Sequence, residues 1–480
     1  MNSIRTWLWI FCCVVSSHAL GATPAKPNVV LILADDLGYG DLGSYGATKV
    51  STPNLDRLAR EGTRFTHAYT PGSVCSPTRY SLLSGRYFWR NLLHPPTGVL
   101  DPGAPLLFEE GRMNLPQFFK NQGYATAAIG KWHLGIGRGP DHQSRFDWNQ
   151  EEIKPGPLEC GFDYFYGMAA NVGNEPAFYF ENRSFVGRKK GDVVKVGRRN
   201  KVEPWTPEVL YRPEEVGGEI ARKAVSWIEQ SGPQPFFLYV ASNIPHHDVL
   251  PAPESLGKSQ CGPYGDFVQE LDGHVGQILA ALEKKGVLDQ TMVIFTSDNG
   301  GVVTNAARRL EPYWQALQAG HHICGALRGR KHGIYEGGFR VPFIVRWPGQ
   351  IPSGRACDAM VGLTDVMATC AAAIGAPLPE TAAEDSVNLW PLWRGDEGAK
   401  GRESVVLKSS NAIFAVREGF WKLIEQKPTA SGETSEPENT NQLYDLSSDP
   451  AETRNRWEEE PEVVSRLRKL LERTRKQAGS

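Results

Sequence analysis

The sequence predicts an α/β protein: a large mixed, mostly parallel sheet with helices on both faces, followed by a smaller α+β subdomain with an antiparallel sheet and one helix. Three observations carry this reading. Asn28 to Leu33 and Met292 to Phe295 are continuous apolar, β-branched-rich runs, as buried parallel strands are, and each leads into acidic residues. Phe267, Leu271, Val275, Ile278, Leu279 and Leu282 recur at helical spacing just before the second run, so helix and strand alternate. From Trp390 onward the texture changes to short strand-like runs with polar punctuation.

In chain order, Arg5, the apolar run Trp7 to Val15 and the small residues Ser16, Ala19, Gly21 and Ala22 have the layout of a secretory signal peptide over residues 1–23, with cleavage between about Gly21 and Pro24. Cys12 and Cys13 follow bulky Ile10 and Phe11 and read as passengers of the apolar segment rather than a lipid anchor. After the first strand, Thr52, Pro53, Leu55, Leu58 and Gly62 supply a cap, a first-turn proline, an apolar face and a stop for a short helix. Pro77 sits like an early helix residue ahead of Leu82 and Leu83, which places Cys75 at a helix N-terminus. Tyr124 to Ile129 reads as another strand, with Lys131 and His133 projecting to one side of its end. In the last part, Ser404–Leu407, Ala412–Val416 and Trp421–Ile424 are strand candidates, and Pro428 to Asn441 is a polar loop. Val463, Leu467, Leu470 and Leu471 mark a final amphipathic helix. The expected division is a catalytic unit over residues 24–390 and a subdomain over 391–480.

The charge is nearly balanced, 52 Lys plus Arg against 54 Asp plus Glu, which argues against nucleic acid or an anionic membrane as partner. No stretch after the signal segment reaches transmembrane length, so stable membrane insertion is not expected. The 13 Trp suit a carbohydrate-facing surface, although ordinary core packing accounts for most of them. Cys75, Cys160, Cys261, Cys324, Cys357 and Cys370 are scattered without a C-x-x-C pair, which excludes a zinc finger or a dense disulfide framework.

Two strand ends carry candidate metal ligands, Asp35 with Asp36 and Asp298 with Asn299. In an open α/β sheet, ligands collect at the carboxyl ends of strands, so the two pairs can converge. Three carboxylates and an amide form an oxygen cage suited to Ca2+ or Mg2+ and poor for zinc. Taken alone, each pair reads as a helix cap or turn before it reads as a metal site; it is their joint placement that favours the metal. Cys75 at a helix N-terminus faces backbone N–H groups that favour an anion, and Arg79 lies one turn on, but a buried structural thiol fits the same residues. His246 and Lys331 are isolated basic candidates.

Taken together, these segments resemble the formylglycine-dependent sulfatases of the alkaline-phosphatase-like superfamily. CSPTRYSLLSGR (Cys75 to Arg86) is similar to the signature that specifies conversion of its cysteine to formylglycine. GYATAAIGKWHLG (Gly123 to Gly135) is similar to a second signature, and LRGRKHGIYEGGFRVPFIVRWPG (Leu327 to Gly349) to a third block. ADDLGYGD at Ala34, GFDYFYG at Gly161, TSDNG at Thr296 and QLYDLSSDP at Gln442 follow in family order. The resemblance implies that a formylglycine-generating enzyme converts Cys75 to formylglycine, and that Asp35, Asp36, Asp298 and Asn299, with position 75 beside them, hold one Ca2+, with Mg2+ second. It also implies that Arg79 stabilises the modified residue, while Lys131, His133, His246 and Lys331 surround the sulfate and leaving group. By the same resemblance Asp298 is the base for attack, His246 the acid for the leaving oxygen and His133 the helper in sulfate release. Thr78 stands where serine or alanine is commoner, and Asp248 where proline is common, which leaves the choice between His246 and His247 open. The implied substrate is a sulfated carbohydrate, and Met168 to Val186 and Val302 to His322 are expected to line its pocket. Two alternatives are a phosphomonoester or phosphonate hydrolase of the same superfold, and a sulfated-glycan binding protein if Cys75 stays unmodified.

Overall fold

The computed structural model describes residues 26–91, 98–138, 145–174, 176–196, 202–307, 309–425 and 441–476; the signal-peptide reading and nearly all of the polar loop read at 428–441 lie outside the described residues. The elements, in order, are β1 (Asn28–Ala34), α1 (Pro53–Glu61), β2 (Thr63–Tyr69), α2 (Cys75–Ser84), α3 (Leu115–Asn121), β3 (Ala125–Lys131) and β4 (Tyr164–Met168). The short strands β5 (Phe180–Glu181), β6 (Ser184–Phe185), β7 (Lys195–Val196) and β8 (Val202–Glu203) follow, then α4 (Val216–Gln230), β9 (Phe236–Ala241), α5 (Pro263–Lys284) and β10 (Thr291–Ser297). Next come α6 (Tyr313–Gln318), α7 (Glu336–Phe339), β11 (Arg340–Arg346), β12 (Arg355–Gly362), α8 (Val366–Ala373) and α9 (Trp390–Arg394). The chain closes with β13 (Ser404–Lys408), β14 (Phe414–Glu418), β15 (Trp421–Glu425), β16 (Gln442–Asp445) and α10 (Pro461–Lys476).

Ten strands form the main sheet in the order β12-β2-β11-β10-β1-β9-β3-β4-β5-β6. The centre, β10-β1-β9-β3-β4, is parallel throughout, and β11 alone turns back between β10 and β2. Because neighbouring residues of a strand point to opposite faces, β1 feeds two cores. Val29, Leu31 and Leu33 pack with Leu82 and Leu83 of α2, Phe118 and Phe119 of α3, and Met367 of α8. Val30, Ile32 and Ala34 pack with Leu55 and Leu58 of α1, Ile220 of α4 and the apolar stripe of α5. Every residue of that predicted α5 stripe is buried, from Phe267 to Leu282. Thr52 precedes α1 without capping it through its side chain; its hydroxyl accepts from Gly43 N–H at 2.9 Å.

The C-terminal sheet runs β13-β14-β15-β16, antiparallel throughout. One face, with Val405, Leu407 and Ala415, packs on Tyr69 and Phe339 of the main unit, and the other packs on Val464, Leu467 and Leu471 of α10. β14 begins at Phe414 rather than at Ala412, because Ala412 adopts a left-handed φ of +61° in the preceding turn. At the seam, fully buried Lys422 reaches Glu336 Oε1 at 3.1 Å and Glu452 Oε1 at 2.8 Å. Burial opposes ionisation of Glu336, but Lys422, Arg417 and Arg340 outweigh it and bring the carboxyl down to about 2. Removing the cation strands the buried Glu452 and leaves Glu336 only the cations of Arg340 and Arg417, each at 3.9 Å, so Lys422→Ala is expected to lower the unfolding free energy in urea by about 3–5 kcal/mol at neutral pH. A loss within experimental error of zero would contradict this account of the seam.

Candidate active site

The topology brings four strand ends and two loops to one edge of the main sheet. Asp35 and Asp36 follow β1, and Asp298 and Asn299 follow β10, its parallel neighbour, paired to it through Ala34 and Ser297. Asp35 N–H donates to the Ile244 carbonyl at 3.0 Å, and Asp298 N–H to the Ala34 carbonyl at 3.1 Å, so both acidic turns are pinned by backbone bonds. Asp36 takes a left-handed φ of +65°, a region aspartate tolerates better than most residues. Cys75 is the first residue of α2, delivered by the loop after β2, and all of α2 is buried. Lys131 is the last residue of β3. Its predecessor Gly130 has a φ of +116°, and a Cβ there would lie 2.0 Å from the Ala241 carbonyl, so only glycine lets the strand end so close to β9. Lys331 is placed by its N–H to the Gly301 carbonyl at 2.9 Å, and His332 N–H binds the Ser73 carbonyl at 2.9 Å, which ties this loop to both acid and cysteine segments.

The side chains form a closed set of charges. Lys131 Nζ donates to Asp35 Oδ2 at 2.6 Å and Lys331 Nζ to Asp36 Oδ2 at 2.8 Å. Arg79 donates to Asp298 Oδ2 through Nε at 3.0 Å and Nη2 at 2.8 Å, and to the Lys131 carbonyl at 2.9 Å. Cys75 Sγ lies 3.4 Å from Asp35 Oδ1. Asn299 Nδ2 donates to Asp36 Oδ1 at 2.7 Å, while Asn299 Oδ1 is buried without a partner. Burial opposes ionisation of Asp35, but Lys131, His246, Arg79 and Lys331 hold it well below the usual carboxylate range; Asp36 is lowered likewise by Lys331 and His246. Burial and the neighbouring Asp35 push Asp298 up to about 7 against Arg79 and Lys131. Burial, with Asp298 next, pushes the Cys75 thiol far up, the reverse of what a thiolate nucleophile needs.

The imidazoles differ. His133 Nε2–H donates to the Leu100 carbonyl at 2.9 Å, leaving the buried Nδ1 as an unpartnered acceptor. Burial and then Lys131 hold its pKa well below the ordinary value. β3 ends at Lys131, so the two-residue strand period does not extend to His133, whose φ of +53° sets its direction instead. His246 Nδ1–H donates to the His247 carbonyl, and Nε2 lies 3.8 Å from Asp36 Oδ2. Burial and Lys331 bring its pKa down to about 4. The His246 side chain is 11% exposed against 47% for His247, which pairs with Asp248 at 2.7 Å. His246 therefore faces the carboxylates and His247 the rim.

Ligand atoms of Asp35, Asp36, Cys75 and His246 lie within 4.8 Å of one another. Asp298 adjoins them through Oδ1, 3.2 Å from Asp36 N–H, and Asn299 through Asp36. The carboxylates and the unpartnered amide oxygen of Asn299 are a hard oxygen donor set, which fits a calcium- or magnesium-type cation. The described cysteines are all buried and unbridged. Among the described residues, no helix is long and apolar enough to cross a membrane.

Buried carboxylates, cations and a helix-start cysteine at the carboxyl edge of a parallel sheet are the frame of a hydrolase for anionic esters. The chain matches the Sulfatase family over residues 27–376 and the C-terminal unit of N-sulphoglucosamine sulphohydrolase over residues 330–477. It belongs to the sulfatase family and is a sulfuric ester hydrolase with the alkaline-phosphatase-like fold. It is 35% identical to an N-acetylgalactosamine-6-O-sulfatase of Bacteroides thetaiotaomicron, over 94% of each chain. It is also 35% identical to human arylsulfatase A, over 94% of this chain and 88% of that one. A solved structure from work on glycosaminoglycan metabolism by Bacteroides thetaiotaomicron superposes with a TM-score of 0.85 at 35% identity, covering 94% of this chain and 99% of the other.

All the residues singled out in the sequence, Asp35, Asp36, Cys75, Arg79, Lys131, His133, His246, Asp298, Asn299 and Lys331, are brought to this edge. Sequence reasoning gave no role to Asp41, which accepts from Tyr264 OH at 2.6 Å and His321 Nε2 at 2.7 Å. Its place in the ADDLGYGD run was the available signal. Tyr313 lies in the Val302 to His322 stretch expected to line the pocket, although no motif singled it out there.

Proposed function

We propose that the chain removes sulfate from a sulfated carbohydrate, a 6-O-sulfated hexosamine in the first instance, using formylglycine at position 75 and one Ca2+. The carrying observation is the placement of Cys75: Sγ is 3.4 Å from Asp35, with Lys131 and Lys331 bound to the two adjoining carboxylates. The substrate class rests on the 6-O-sulfatase relative, which aligns over 94% of this chain. A phosphonate monoester hydrolase from Agrobacterium radiobacter shares the fold at a TM-score of 0.62 and 19% identity, whereas the relatives at 35% identity are sulfatases, which favours the sulfate reading. In this reading a formylglycine-generating enzyme modifies Cys75. The segment 1–23 directs export to the periplasm or outside the cell, and residues 24–390 and 391–480 are the catalytic unit and its subdomain.

Asp35, Asp36, Asp298 and Asn299 would hold the cation beside position 75. Such a cation, when bound, would supply positive potential for the charge that grows on the ester oxygens. The hydrated aldehyde supplies a nucleophilic hydroxyl and, through its second hydroxyl, a route to release sulfate without a separate hydrolysis. Arg79 fixes Asp298 through Oδ2, so Oδ1, which takes only the 3.2 Å bond from Asp36 N–H, is left to accept the nucleophile's proton. Lys131 and Lys331 grip the sulfuryl oxygens as fixed charges. His246 Nε2 protonates the leaving oxygen, and the negative ester held by Lys331 favours the imidazolium this requires. His133 Nδ1, the unpartnered acceptor, takes the proton lost on sulfate release.

Purified enzyme is expected to release inorganic sulfate from a 6-O-sulfated N-acetylhexosamine with far higher kcat/KM than phosphate from the matching phosphate ester; the reverse preference would overturn the reading. Elemental analysis is expected to give one calcium per chain, and Asp36→Ala to lose it, whereas stoichiometric zinc or undiminished calcium would refute the cage. Lys331→Ala should lower kcat/KM on sugar and aryl sulfates alike. His246→Ala should cost about 10²-fold more on the sugar sulfate, whose alcohol leaves poorly without a proton. Equal losses for the two leaving groups would remove the acid role, and a leaving-group effect in His247→Ala would transfer it.

A further inference from the structure

Tyr313 opens α6 in the segment between Asn299 and Lys331, and its side chain is almost wholly buried, at 1% exposure. Its hydroxyl is nevertheless without a hydrogen-bond partner. An unpartnered buried hydroxyl costs about 1–3 kcal/mol, and Phe would fill the same space without that cost. The surroundings place the ring. The ring lies 5.2 Å from Tyr264 and 6.1 Å from His247, and the charged groups acting on the phenol are Asp36, Lys331, Asp248 and Asp35. It therefore stands between the site that grips the sulfate and the exposed His247–Asp248 pair at the rim.

The ring is also held in place. Tyr264 donates to Asp41 Oδ2 at 2.6 Å and His321 to Asp41 Oδ1 at 2.7 Å, and Asp41 in turn accepts from Gly38 N–H at 2.7 Å, two residues past the acidic turn. The segment that carries Tyr313 is thus clamped to the loop that carries Asp35 and Asp36. Gly173, in the Met168 to Val186 stretch, lies close enough to the rim that a Cβ there would be 3.8 Å from Asp248 Oδ2. A rigid, desolvated donor at the boundary between the ester and the rim is suited to hydrogen-bond a polyhydroxylated leaving group, because its satisfaction is deferred until substrate arrives.

We propose that Tyr313 is a substrate-positioning residue whose hydroxyl donates to a saccharide oxygen beside the scissile ester, in a subsite shared with the His247–Asp248 pair. The inference rests on the sulfatase reading for the identity of the ester, and on the unpartnered hydroxyl for the residue. The test is Tyr313→Phe, assayed on a 6-O-sulfated N-acetylhexosamine and on 4-nitrophenyl sulfate, which has no sugar oxygens. The expected result is a ~3–10-fold loss of kcat/KM on the saccharide, mainly through KM, a clearly smaller loss on the aryl ester, and a melting temperature equal to or above wild type. Equal losses on both esters, no loss on the saccharide, or a lowered melting temperature with unchanged kinetics would overturn it. Calorimetric affinity for the same saccharide separates the two claims: weaker binding by Tyr313→Phe upholds the subsite even where wild-type enzyme turns over neither ester, an outcome that would sink the sulfatase reading alone.

Discussion

Three carboxylates, Asp35, Asp36 and Asp298, lie side by side and fully buried at one edge of a sheet, and much of the rest of the structure is arranged to make that tolerable. Unpaired charges in such a position would neutralise or unfold the protein. The fold instead sends three cations to them from three separate elements: Arg79 from α2, Lys131 from the end of β3 and Lys331 from the loop before α7. Each cation depends on a topological choice. The parallel pairing of β3 with β9 brings Lys131 to the edge where β1 and β10 end, and the reversed strand β11 brings its preceding loop to the same edge. In the proposed reading, the same grouping of opposite charges would let a divalent cation and a sulfuryl group share one small volume with the residue at position 75.

The fold class was legible because its signals are local and repetitive. The β1 and β10 runs are apolar on both faces because both faces are covered, and the α5 stripe is long enough to show its period without ambiguity. The reversed direction of β11 was not legible, since Arg340–Arg346 carries the same apolar pattern in either direction. Within the site, the acids and Cys75 could be placed from strand ends and helix-start chemistry, while Lys331 and His246 stood out only through family resemblance. Their placement depends on backbone bonds to Gly301 and Asn243, partners that no spacing rule points to.

What escaped the sequence has a common character. Asp41, Tyr264 and His321 form one buried cluster from residues 41, 264 and 321, and the seam cluster joins Glu336, Lys422 and Glu452. Both are polar, buried and assembled over long sequence separations, so periodicity is silent about them. Both also sit against the site from outside: the first fixes the loop of Asp36 to the segment of Tyr313, and the second fixes α7, which follows Lys331 by a few residues. Buried polar groups that are fully paired specify one geometry, and in that sense these clusters convert a generic α/β frame into a rigid anion site. In the proposed reading, the hydroxyl of Tyr313 and Nδ1 of His133, both buried without a partner, take theirs from the substrate.

The central claim is that position 75 acts as an aldehyde-derived nucleophile inside this charge cluster. The most direct measurement is peptide mass spectrometry across residue 75, made on preparations of graded specific activity. The account predicts that the fraction carrying formylglycine rises in proportion to activity and that Cys75→Ala has none. A fully active preparation in which position 75 is entirely unmodified cysteine would contradict it.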